Sequence, residues 1–288
     1  MGVHAYRGRF APSPTGPLHL GSLCAALISW AHARQHQGSW AVRIDDLDTF
    51  RCDPKWSDAL ITTLAAVGLE SDTPIQYQSH RSQHYHEALH ALAPICYRCT
   101  CPRKSRAPGP YPGTCRHRMG QPIPVTGAIR VDCTTLDTHL DDVLVGHTTH
   151  AHPGDPILRR ADGLYAYQLA CTVDDHLDRI THVIRGSDLL ESTLWQRHLT
   201  QRLIGPVPKY GHFPVLTDSQ GNKLSKQQGA DPIDPSMPGH TYRQLAERLH
   251  RPNPPEVTVP VSDWLAWWLA QGPVTTWWSS THQNIPIT

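Results

Sequence analysis

The first 92 residues alternate between two kinds of segment in a fixed order, and that order leaves the chain few architectures. Arg7 to Phe10 reads as a short strand. A turn-rich run follows, from Ala11 through Pro12, Pro14 and Gly16 to Pro17. Leu18 to Gln37 then carries apolar residues at helical spacing (Leu20, Leu23, Cys24, Leu27, Ile28) and stops at Gly38. Trp40 to Ile44 reads as a second strand, ending in Asp45, Asp46 and Asp48. Pro54 opens a helix over Lys55 to Val67, which Gly68 ends, and Gln83 to Leu92 forms a shorter one. Strand, helix, strand, helix is the pattern of an α/β domain with a doubly wound parallel sheet.

The pattern breaks between Cys96 and Gly127, in a stretch rich in Pro, Gly, Cys and Arg that reads as an inserted module. Alternation resumes with strands at 128–133, 157–160 and 180–184 and helices at 164–173 and 188–203. His212 to Leu216 precedes a polar loop, 217–229. A tail follows with Trp264, Trp267, Trp268, Trp277 and Trp278; at helical spacing these predict the core of a small helical region.

Composition removes several classes. A chain of 288 residues with 39% apolar and 18% charged residues is too apolar to be disordered and long enough to bury a substantial core. A net charge of +1 gives no global field toward nucleic acid or membrane. No apolar run is long enough to span a bilayer, and the N-terminus does not read as a signal peptide, so no membrane association is expected and the cytosol is the expected compartment. Eight cysteines in a chain this long do not read as a disulfide framework; four of them fall between 96 and 115, which points to one clustered metal site in a reducing compartment.

Two segments point to phosphate chemistry. Gly16 and Gly21 have the spacing of a P-loop, but Ser22 stands where its lysine is required, so that reading fails. A strand, a Pro/Gly loop and His19, Leu20, Gly21 and Ser22 at a helix start remain. Free N–H groups and the helix dipole suit an anion there, Gly21 allows close backbone approach, and His19 can donate to phosphate oxygens. The second segment is Lys223-Leu224-Ser225-Lys226. The chain holds 21 Arg but only five Lys, and two of the five sit here, three positions apart. Compact, mobile ammonium groups are suited to clamping phosphates.

In the inserted module, Cys99, Cys101, Tyr111 and Cys115 follow the spacing C-x-C-x9-Y-x3-C. Three thiolates with a fourth N or O donor make a closed, structural zinc site. Tyr111, His117 and Cys96 compete for the fourth position. Between Arg98 and Arg118 stand six basic residues (Arg98, Arg103, Lys104, Arg106, Arg116, Arg118) and no acidic one, which suggests contacts to RNA phosphates.

These motifs together resemble the class I aminoacyl-tRNA synthetases. His19-Leu20-Gly21 resembles their HIGH motif and Lys223-Leu224-Ser225-Lys226 their KMSKS motif. The glutamyl branch is resembled more closely still, at 9–21, at 42–48 (Val42 to Asp48), at 165–170 (Tyr165 to Ala170), at 173–176 and at 183–188. Only 62 residues follow Lys226, whereas a full glutamyl-tRNA synthetase would carry a long anticodon-binding region. The expectation is therefore a truncated paralogue of that branch, which activates glutamate with ATP, without tRNA, and esterifies it onto the queuosine base at the wobble position of tRNA(Asp).

The resemblance implies a Rossmann-type catalytic core, and its roles fall residue by residue. His19, Gly21, Lys223 and Lys226 are the catalytic positions, and His19, Gly21, Ser22 and Lys226 hold ATP with its Mg2+. Arg9, Ala11, Ser13, Asp45, Tyr167 and Arg185 bind L-glutamate, the arginines because their fork matches a carboxylate. Tyr111 is the implied fourth zinc ligand. Asp174 and Asp175 support the pocket floor. Where the family usually has Glu, this chain has Asp45, one methylene shorter, so weaker glutamate binding is expected. The expected divisions are a core in two halves at 1–95 and 128–205, a zinc-binding insertion at 96–127, a KMSKS-like loop region at 206–240 and a small helical C-terminal region at 241–288. A monomer is expected.

Overall fold

The computed structural model describes residues 5–102, 109–124, 126–203, 205–217 and 232–278. Lys223 and Lys226 lie outside them, as do Arg103, Lys104 and Arg106. The chain opens with strand β1 (Arg7–Phe10), helix α1 (Leu20–Gln35), β2 (Ser39–Ile44), α2 (Pro54–Ala66), β3 (Gln76–Tyr77) and α3 (Ser82–Ala91). β1, β2 and β3 pair in parallel. His19 caps α1, its ring accepting from the Ser22 N–H, and Asp53 caps α2 ahead of Pro54. At the far end of α1 the chain turns back tightly: a Cβ on Gly38 would lie 2.5 Å from the Tyr6 ring.

The middle of the chain forms a separate antiparallel sheet and a hairpin that joins the sheet of the last core strands. β4 (Cys96–Cys99), β5 (Ala128–Val131) and β8 (Ile157–Arg159) form an antiparallel sheet, and β6 (His139–Asp142) and β7 (Gly146–Thr149) form a hairpin. β4 lies inside the stretch read as irregular from sequence; it is four residues long and only Arg98 faces out, so no alternation marks it. The hairpin escaped notice because one of its two buried positions is a carboxylate, Asp142. α4 (Tyr167–Leu177) starts later and ends later than its sequence pattern predicts. The Ala166 N–H is taken by the Leu158 carbonyl, and the polar residues Asp174 and Asp175 are buried on ion pairs.

β9 (His182–Gly186), α5 (Leu190–Leu203) and β10 (Lys209–Phe213) complete the core. β9 runs beside β1: the Thr181 N–H donates to the Arg7 carbonyl (2.9 Å) and the Thr181 hydroxyl accepts from the Arg7 N–H (2.8 Å). β10 pairs in parallel with both β9 and β6. Two sheets, β3-β2-β1 and β9-β10-β6-β7, thus abut through β1 and β9, and the direction of winding reverses at that join. Ligands of such sheets bind in the crevice at the carboxyl ends of those two strands.

α6 (Pro238–Arg248) precedes α7 (Val261–Leu269), which carries Trp264, Trp267 and Trp268; Trp277 and Trp278 follow after a short turn. Trp264, Trp268 and Trp277 are fully buried in the same apolar cluster as Leu23, Leu27 and Ile28 of α1. The C-terminal helices therefore extend the core beneath α1. A second cluster joins α3, α4 and α5 to the antiparallel sheet. Among the described residues, no helix is long and apolar enough to cross a membrane.

Candidate active site

A cleft of about 250 Å3 opens at the β1–β9 crevice, against the start of α1. Arg9, Ala11, Ser13, His19, Gly21, Ser22, Tyr167 and Arg185 all line it. Each arrives from a different local cause. β1 delivers Arg9; the Pro/Gly loop carries Ala11 and Ser13; the cap and first turn of α1 supply His19, Gly21 and Ser22. The first residue of α4 is Tyr167, and Arg185 lies one residue from the end of β9. No acidic residue occupies the first turn of α1, so its positive end is uncompensated from within the helix. His19 accepts the Ser22 N–H through Nδ1 (3.3 Å), which leaves the ring proton on Nε2, 2.8 Å from Ser22 Oγ.

The two arginines are buried yet held differently. Arg9 places Nε and Nη2 on the Asp175 carboxylate (3.2 Å each). Arg185 donates through Nη1 to the Tyr167 hydroxyl (3.1 Å) and through Nη2 to Thr193 (2.7 Å), while its Nε is buried without a hydrogen-bond partner. Burial works to raise the Asp175 carboxyl, but the charges of Arg9 and Arg43 hold it well below the usual carboxylate range. Asp175 thus stays ionised and fixes Arg9. Asp174 is equally engaged, with Gln78, Arg81 and Tyr85.

Asp45 is placed otherwise. It does not line the cleft; it is buried with Oδ1 on Arg43 Nε (2.8 Å) and with Oδ2 unpartnered. Burial lifts its carboxyl to about 6 against the pull of Arg43, a guanidinium shared with Asp174 and Asp175. The residues on either side of 218–231 both reach the site. Leu216 lines the cleft, and Pro232 bridges to His19 while the Ile233 N–H donates to the Leu18 carbonyl.

In the module, the Cys99, Cys101 and Cys115 sulfurs lie within 4.8 Å of one another. The Tyr111 hydroxyl sits among them, 3.5 Å from Cys99 Sγ and 3.3 Å from Cys101 Sγ. Burial raises the Cys115 thiol, but hydrogen bonding with Tyr111 and Thr100 outweighs it and lowers the thiol below its ordinary range, which favours the metal-binding thiolate. Cys96 is buried in the second apolar cluster, and exposed His117 turns Nδ1 to the Thr114 carbonyl. Arg116, counted in the basic run, grips the buried Asp155 (2.6 and 2.8 Å), which ties the module to the core. That leaves Arg98 and Arg118 as the described members of the run that do not serve this clamp.

Sequence reading missed Arg43, Thr193, His212 and Asp142. Their partners lie from two to more than a hundred positions away, so no local spacing marks them.

A strand-order reversal with a helix start and two buried arginines at one crevice fits a nucleotide-binding α/β core of the class I synthetase kind. In agreement, the family model described as tRNA synthetases class I (E and Q), catalytic domain, matches residues 5–105 and 116–236. A relative from Cupriavidus metallidurans, named Glutamyl-Q tRNA(Asp) synthetase, is 45% identical over 278 residues (91% of this chain, 89% of the relative). One of the same name from Methylococcus capsulatus is 44% identical over 273 residues (92% and 90%). The chain belongs to this family of glutamyl-Q tRNA(Asp) synthetases, ligases of the class I type. A solved glutamate tRNA ligase from Elizabethkingia meningosepticum, in complex with its amino acid, superposes with a TM-score of 0.67 at 27% identity. It matches 78% of this chain, which spans about half (53%) of that enzyme. The glutamate-tRNA synthetase of Elizabethkingia anophelis shares the fold, with a TM-score of 0.72 at 23% identity over 91% of this chain and 65% of its own.

Proposed function

We propose that the protein activates L-glutamate with ATP, without tRNA, and transfers it to the queuosine base at the wobble position of tRNA(Asp). The observation that carries this is the convergence of two buried arginines, from β1 and β9, beside a positive helix start with no acidic residue in its first turn. A dicarboxylic amino acid needs two fixed cationic or donor sites, and a fork donor matches a carboxylate. Arg185, with an unpartnered Nε, takes one carboxylate; Arg9 and Tyr167 complete the amino-acid side, and Ala11 and Ser13 shape it.

The α-carboxylate attacks the α-phosphate of ATP in line and pyrophosphate leaves, so catalysis is positioning and charge stabilisation rather than base chemistry. The Gly21 N–H serves one side of the phosphate chain, and His19 and Ser22, which bond to each other in the structure, exchange those contacts for phosphate oxygens. Lys223 and Lys226 serve the other, with the Mg2+ that accompanies ATP. Asp45, which the family pattern assigns to the substrate ammonium, does not line the cleft, so its share in binding is small unless it shifts off Arg43. Loss of one positioned donor typically costs about 10²–10³ in rate.

One structural zinc ion is held by Cys99, Cys101, Cys115 and Tyr111; the three convergent sulfurs and the hydroxyl among them fit it. Its role is to close the module. The remaining partner is the queuosine-bearing tRNA(Asp), and the enzyme works as a cytoplasmic monomer. Glutamate-dependent ATP–pyrophosphate exchange in the absence of tRNA tests the first step. Charging of queuosine-containing but not queuosine-free tRNA(Asp) tests the second; equal charging of both would refute it.

A further inference from the structure

Behind Arg185 runs a set of buried polar residues that substrate contact does not explain. Thr193 Oγ1 on α5, which accepts from Arg185, lies 2.8 Å from His212 Nε2 on β10. His212 Nδ1 lies 2.6 Å from Asp142 Oδ2 at the end of β6. None of Asp142, His212, Thr193 and Arg185 is more than 5% exposed. Of the four, only Arg185 lines the cleft.

We propose that Asp142, His212 and Thr193 form a positioning relay that orients the Arg185 guanidinium for the substrate carboxylate. The inference rests on the reading of Arg185 given above. A carboxylate accepts and does not donate, so His212 carries its proton on Nδ1. Nε2 is then an acceptor and takes the Thr193 O–H, which leaves a Thr193 lone pair for Arg185 Nη2. Every donor points away from the cleft, and each bond polarises the next. Burial holds His212 below the usual imidazole range even beside Asp142, which keeps it in the neutral form this direction requires. The alternative acceptor for the Thr193 hydroxyl, the Leu189 carbonyl, is farther at 3.4 Å.

The far end is anchored. Asp142 accepts the backbone N–H groups of Leu144 (2.8 Å), Val145 (3.1 Å) and His212 (3.0 Å). A Cβ on Gly211 would lie 2.8 Å from side chains of Ile184, Leu144 and Val143, so glycine is what lets the end of β6 reach His212. With Nη1 on Tyr167, Nη2 on Thr193 and the Tyr210 ring 5.3 Å below, the guanidinium plane is set on three sides. A polar chain this deep is stabilised only when every member is satisfied, and the member with a donor to spare is the one at the cleft.

Thr193→Val removes the hydroxyl and keeps the shape. In tRNA-independent ATP–pyrophosphate exchange, its KM for glutamate is expected to rise about tenfold to a hundredfold with the KM for ATP unchanged, and Thr193→Ser to restore most of the affinity. Asp142→Asn keeps an acceptor for the backbone but offers an amide to His212, which inverts the tautomer. Imidazole 15N shifts should show the His212 proton moving to Nε2, with the same rise in glutamate KM; this variant decides the matter if the valine variant does not fold. Unchanged glutamate KM in either folded variant, equal losses with Val and Ser, or a parallel rise in the KM for ATP would overturn the relay. Arg185→Lys separates the two readings. If it weakens glutamate while Thr193→Val does not, the relay falls and the role of Arg185 stands; if it leaves glutamate KM unaltered, both fall.

Discussion

Arg9 and Arg185 each bring a full charge where little water reaches, and the way each is compensated sets what it can still do. Arg9 is neutralised by Asp175, so it contributes shape and residual donors; the hydrogen-bond partners of Arg185 among the described residues are neutral, which under the proposed function leaves its charge for a ligand. Asp45 is the residue where local chemistry and family pattern part. Its carboxylate rests on Arg43 with one oxygen unpartnered, and a side chain longer by about 1.5 Å would extend past that contact. Asp45→Glu is expected to lower the KM for glutamate several-fold; an unchanged or higher value in the exchange assay would count against this. The cleft-lining arginines were legible because each sits in a short ordered motif. Asp142, Thr193 and His212 were not, since 51 and 19 positions separate them along the chain and a lone buried polar residue leaves no periodic trace.

At the level of elements, β1, α1, β2 and α2 could be read within two residues or so, because each is bounded by a turn residue or cap with one conformational meaning. In the antiparallel sheet β5 and β8 could also be read to within two residues, whereas β4 and the β6–β7 hairpin could not, since strands this short carry little pattern and are specified by partners far away. The cysteine module illustrates both: spacing singled out the three cysteines whose sulfurs converge, while the Arg116–Asp155 clamp needed coordinates. Gently purified protein should hold about one zinc per chain. Cys115→Ser should lose the metal and lower the melting temperature, and a metal content near zero in the unaltered protein would dismiss the site.

A second prediction concerns α1 and β9, whose ends bring His32, His36 and His182 against Tyr6. Burial and mutual repulsion lower His32 to about 4; burial and the Lys209 charge lower His182 likewise to about 4. The folded state therefore favours the neutral rings. Their contribution to stability is whole above about pH 6.5 and is lost as the pH falls toward 4, on the order of 3 kcal/mol for buried His32. Denaturant melts at pH 7.5 and 5 should show a smaller difference for His32→Asn than for the parent; identical differences would rule this out.

For the whole molecule, the decisive fact is that the C-terminal helices share one core with α1. Sequence spacing marked the tryptophans as core, yet it could not say whose core, because the surface they cover lies more than 200 residues upstream. Trp268→Ala should cost about 3–5 kcal/mol. Unfolding followed by Trp fluorescence and loss of exchange activity should then coincide in a single shifted transition; two separate transitions would show the tail to be an independent unit.

Arg9 and Arg185, 176 positions apart, meet only where β1 and β9 abut. A nascent chain that has emerged no further than α4 owns one half of the grip and nothing to close it against. Capture of the amino acid thus becomes possible only once the ribosome has released the late strands. Under the proposed function the bound small molecule would act as a clasp between β1 and the much later β9, and its presence should stiffen that join more than any other part of the enzyme.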